Sequence, residues 1–115
     1  MASDGRWSIE KLNGENWSTW KFQIKHLLLA KELWHVTEGT EELGPEADDA
    51  ATRAFDLRCQ KALSSIVMSI EPALLYLITS CEVAKDAWTI LKHHFESKTL
   101  NNKLLLKKQY FRLEM

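Results

Sequence analysis

At 115 residues the chain has the length of one small domain, which can bury roughly two thirds of its unfolded surface without disulfides or metal. With 45% hydrophobic residues, 27% charged residues and a formal net charge of −1, its total charge exerts no strong pull toward nucleic acid or a membrane surface. The charge is unevenly placed. Glu38, Glu41, Glu42, Glu46, Asp48 and Asp49 fall in one stretch without a basic residue, whereas Lys98, Lys103, Lys107, Lys108 and Arg112 stand against Glu114 alone in the last eighteen residues.

Two cysteines, Cys59 and Cys81, make no disulfide framework and read as small core hydrophobes in a reducing compartment. No apolar run follows Met1, and no stretch approaches the ~20 apolar residues of a membrane helix. The expectation is an intracellular, cytoplasmic chain without a membrane partner.

Four glycines, two prolines and apolar residues recurring at three and four predict an all-α fold, a compact bundle of about five helices. Residues 1–15 form a lead-in ending in the turn-prone run from Asn13, with Asn16 available as an N-cap; residues 16–115 are the helical domain. From Trp17, the positions Trp20, Ile24 and Leu27/Leu28 keep helical spacing, with Lys21, Lys25 and Lys31 on the other side and Phe22 and Leu29 on a second apolar face. Leu33, Trp34 and Val36 predict a short helix. Pro45 suits the first turn of the next one, with Glu46, Asp48 and Asp49 at the positive end of its dipole.

That long helix runs through Ala51, Phe55, Cys59, Ala62/Leu63, Ile66 and Ile70, and Glu71-Pro72 stops it. Ala73 to Ile78 predict a short apolar helix. Thr79 and Glu82 have capping-box spacing, and Val83/Ala84, Ala87/Trp88, Leu91 and Phe95 share one face of the helix that follows. A final helix carries apolar residues on two faces, Leu104 with Phe111 and Leu106 with Tyr110 and Leu113. Two such faces need two partners, so one packs on this domain and the other on a second chain or on sequence beyond Met115.

Little in the chain carries chemistry. His26 and His35 stand apart, and the adjacent His93 and His94 point about 100° apart on a helix, unlike the i, i+4 pair of a zinc site. No phosphate-binding glycine loop and no strand-turn-helix elbow appears. The expectation is a non-enzyme with no cofactor, no metal and no small-molecule substrate. Lys103, Lys107, Lys108 and Arg112 form the one basic helix side that could contact RNA, with the ordinary polar face of an amphipathic helix as the simpler reading. Trp17, Trp20, Ile24, Trp34, Trp88, Leu91 and Phe95 read as core anchors rather than a ligand cage, with Trp34 folding back onto the helix of Trp17 and Trp20.

Two stretches carry a resemblance. Leu12, Gly14, Asn16-Trp17, Trp20, Ile24 and Leu28, followed by Leu33-Trp34 and Val36, resemble the opening of the Gag polyprotein of copia-type LTR retrotransposons. Ala84, Ala87-Trp88, Leu91, Phe95, Ser97-Lys98-Thr99, Leu104 and Leu113-x-Met115 are similar to the same family's second signature. Together they span Leu12 to Met115. The resemblance implies a helical, capsid-like domain, of an element or of a host-co-opted derivative, that self-associates into a particle enclosing RNA. Its likeliest self-contact residues are then Leu106, Tyr110 and Leu113.

Overall fold

The structure, a computed structural model, describes residues 9–97. The helices are α1 (Trp17–Ala30), α2 (Trp34–Glu38), α3 (Asp49–Met68), a 3-10 helix (Pro72–Leu77) and α4, which occupies residues 84–97. The all-α expectation holds: among the described residues the only β pairing is a single parallel bridge between Leu12 and Ile70. The predicted final helix, with Lys103, Leu106, Lys107, Lys108, Tyr110, Arg112 and Leu113, lies outside the described residues.

Each long helix buries the stripe that its sequence spacing marks. Trp17, Trp20, Ile24 and Leu28 do so on α1, Ala62 and Ile66 on α3, and Ala84, Ala87, Trp88, Leu91 and Phe95 on α4. Leu12, Ile70 and Ile78 close the core from the connecting segments. The second apolar face expected on α1 stays in solvent, with Phe22 66% and Leu29 38% exposed.

Helix ends depart from the sequence expectations, at Asn16 and Thr79 because the side chain finds another partner and at Pro45 because the backbone turns there. Asn16 occupies the N-cap position of α1 but its side chain turns back into the lead-in. Its Oδ1 accepts from the Asn13 amide at 2.9 Å and its Nδ2 donates to the Lys11 carbonyl at 3.0 Å. Pro45 does not open α3; the Ala47 amide bonds the Gly44 carbonyl at 3.2 Å, so Pro45 sits inside a β-turn, where its fixed φ is equally suited. Asp48 caps α3 instead, its Oδ1 accepting from the Ala51 amide at 2.8 Å. The Thr79 capping box does not form: Thr79 Oγ1 reaches back toward the Tyr76 carbonyl, and α4 starts at residue 84 with the Val83 carbonyl accepting from Ala87.

The end of α1 is the most constrained turn. The Leu33 amide bonds the Leu28 carbonyl at 2.7 Å and the Glu32 amide bonds that of Leu29 at 3.0 Å, the hydrogen-bond pair of a Schellman motif. Buried Leu28 and Leu33 supply its apolar contact. The left-handed position, normally glycine, is Glu32 with φ of 62°. Gly39, at φ of 92°, ends α2 in the same backbone region, with the Lys85 alkyl chain lying where a Cβ would be. A Cβ disfavours the left-handed region, an effect partly offset by the extra freedom glycine has when unfolded. Glu32→Gly is therefore expected to raise the unfolding free energy by about 0.5 to 1 kcal/mol in a urea titration; a lower midpoint would show that the Glu32 side chain earns its place at that turn.

Candidate functional site

Four of the five tryptophans converge between α1 and α4. Trp17 stacks on Phe95 with ring centroids 5.4 Å apart, and Trp20 on Trp88 at 6.2 Å. Trp17 also meets Trp20 at 5.7 Å and Trp88 at 6.0 Å, so the rings form one continuous slab. Trp34 adds an edge contact, its ring 5.3 Å from Trp88 and at 88° to it. The sequence placed Trp34 against the helix of Trp17 and Trp20; its ring partner is Trp88, on a helix fifty residues further along the chain.

Within the proposed anchor set, Trp17, Trp20, Ile24, Trp88, Leu91 and Phe95 are buried and Trp34 is half-buried. Ring-on-ring contacts of this kind add about 0.5 to 1.5 kcal/mol each beyond area burial. They also occupy the ring faces that a ligand cage would have to leave open. The slab's polar edges are satisfied: Trp20 Nε1 donates to the Ser69 carbonyl at 2.9 Å, and Trp17 Nε1 to Glu96 Oε2 at 3.4 Å. On the solvent side, Lys25 Nζ lies 5.4 Å from the centre of the Trp34 ring.

Two ion pairs tie elements together, and neither was visible in the sequence. Lys21 Nζ bonds Glu96 Oε2, clasping α1 to α4 beside Trp17. Arg58, on α3, takes both oxygens of Glu41, at 2.6 and 3.0 Å, and donates a further hydrogen bond to the Glu32 carbonyl. It thereby places a cation at the C-terminal end of α1, where the helix dipole is negative. The hydrogen bonds from Arg58 and Lys21 hold the Glu41 and Glu96 carboxyls below their ordinary values, against the smaller opposing effect of burial. Partners 17 and 75 residues apart leave no local pattern to read.

The residues with other chemical potential are dispersed. His26 lies against Phe22, with ring centres 4.6 Å apart, and His94 against Phe95 at 4.7 Å. His35 is 3.9 Å from a Glu38 oxygen on the short α2. Cys59 and Cys81 are half-buried free thiols, and burial pushes both above the ordinary thiol range. Among the described residues no three His, Cys, Asp or Glu side chains are grouped to hold a metal ion, and no helix is long and apolar enough to cross a membrane.

A carboxyl lowered in the folded state stabilises the fold above its unfolded pKa, and that contribution is lost as pH falls through the folded value. Glu96→Gln is accordingly expected to lower the melting temperature at neutral pH, with the gap to wild type closing as the solution is acidified below the ordinary carboxylate range. A gap independent of pH would show that the Lys21–Glu96 charge contributes nothing; the pair's side chains are 41% and 37% exposed, so solvent screens it.

No solved structure matches the chain. A retrovirus-related Pol polyprotein from transposon TNT 1-94 of Nicotiana tabacum is 33% identical to it over 111 residues. That alignment takes in 96% of this chain but 8% of the polyprotein, so the chain spans a small part of that relative. The family described as gag-polypeptide of LTR copia-type matches residues 24–115, from Ile24 midway along α1 onward, and the chain belongs to that family.

Proposed function

We propose that this chain is a non-enzymatic, capsid-like Gag domain that works inside the cell by associating with further copies of itself through helix-to-helix contacts. The observation that carries the reading is that, among the described residues, the helices share one buried core while large apolar side chains remain in solvent. Phe22, Met68 and Tyr76 are 66%, 74% and 68% exposed, on three different elements. Apolar surface left over once a core is complete is what an assembling subunit presents to its neighbours. The gag family match across residues 24–115 supports the same reading. Leu106, Tyr110 and Leu113, on the chain's last apolar stripe, supply a further contact.

Light scattering on the column eluate tests it. The mass of the wild-type chain should rise with concentration, and the pair Leu106→Asp with Leu113→Asp should shift it toward the monomer. A wild-type chain that stays monomeric at every concentration overturns the proposal.

A second reading, RNA contact through Lys103, Lys107, Lys108 and Arg112, is favoured by the five basic residues against one acidic in residues 98–115. Neutralising three of them should flatten the slope of log K against log salt by about 2 to 3 for a fragment of RNA. No binding of that RNA at low salt would remove this reading and leave the first intact.

A further inference from the structure

A groove of about 770 Å³ runs between the end of α1 and the second half of α3. Its apolar surface comes from Leu33 and from Leu57, which is 50% exposed although it lies mid-helix. Lys31 on one side and Lys61 on the other are among its lining residues, and neither makes an ion pair among the described residues; Glu32 is the one acid in the lining. An occupant that complements these groups presents an apolar side chain to Leu57 with carboxylates on either side of it. The rim already shows how a carboxylate binds there: Glu41 is held by both terminal nitrogens of Arg58, itself a lining residue.

The residues that follow Glu41 have the required chemistry. Glu42 and Glu46 are exposed, and between them Leu43 is 38% exposed. They do not line their own groove, and the chain's path explains why. Glu41 is fixed at the level of Arg58, and the chain must then reach Asp49, the first residue of α3. At 1.5 Å per residue that is a retreat of about 13 Å toward the N-terminus of α3. The groove extends the other way, past Lys61 to Ser64 and Ser65.

We propose that the groove receives the segment Glu42 to Glu46 of a second copy of this chain, with Leu43 over Leu57 and its two glutamates against Lys31 and Lys61. Donor segment and groove adjoin in each copy through the Glu41–Arg58 pair, so a two-fold axis lets both copies give and receive at once. The result is a closed pair, self-complementary in charge and in apolar surface. This deepens the self-association reading above and rests on it: the pair is one contact, and growth into a larger assembly uses the other exposed faces.

The test uses the full chain and two surface variants, Leu57→Asp to block the groove and Leu43→Asp to spoil the donor, with circular dichroism to confirm that both fold. Sedimentation should show each variant's self-association weakened by about tenfold or more. Mixing the two should recover association only in part, because one of the pair's two contacts then joins an intact donor to an intact groove while the other joins the two altered faces. Both variants associating like wild type would overturn the groove assignment while leaving self-association standing. Association lost in one variant but kept in the other would overturn it too, because in a two-fold pair each substitution spoils both contacts, and a wild-type chain monomeric throughout would remove both readings.

Discussion

A single backbone carbonyl, that of Ser69, accepts hydrogen bonds from the Leu12 amide and from the Trp20 indole, each at 2.9 Å. A fully buried indole must place its N–H on an acceptor, and this one finds it at the far end of α3. The bond fixes how α1 lies against α3. The bridge that shares the carbonyl, completed by the Glu71 amide donating to the Leu12 carbonyl at 3.0 Å, pulls the lead-in across the same end of the core. Leu12 is consequently as buried as any residue in the helices, although it lies outside them.

With Trp20 anchored, the remaining rings have little freedom. Its face receives Trp88, which seats α4 against α1, and Trp17 stacks on Phe95 further along α4. Glu96 arrives beside Lys21 and the Trp17 indole as a result of that register, so the ion pair reports the packing rather than directing it. At the opposite end of α1, Arg58 plays the connecting part: it joins α3, the Glu32 turn and the acidic segment in one set of hydrogen bonds. The two ends of α1 therefore differ in kind. One is an aromatic slab with a charged edge, and the other is an open groove bounded by a tethered acidic loop.

That contrast bears on how a capsid-like subunit is put together. The slab is inward and fully used, so substitutions there act on stability. The groove and the exposed apolar residues face outward among the described residues, and under the proposed self-association substitutions there act on the contact between copies. Glu32 sits on the boundary, in a left-handed backbone position that lets the chain turn sharply enough to bring α2 and Trp34 back under α4.

Much of the helical layout was legible in the chain, because period and proline placement are local signals: the buried stripe of α1 and that of α4 follow directly from their spacing. The caps were less legible. Asn16 and Thr79 are residues that favour N-caps, and each spends its side chain on a nearer carbonyl or amide, a competition that composition cannot rank. The glutamate in the Schellman turn was missed because glycine is the usual signal there. The sequence by itself determined that the chain is helical, which faces are apolar, and that it resembles Gag, since those depend on residue type and short-range order. The tertiary structure alone decided that Trp34 meets Trp88, that Arg58 holds Glu41 and the Glu32 carbonyl, and that the groove lies beside the acidic segment. Each of those depends on distant segments meeting at a distance of a few ångströms, which no local pattern encodes.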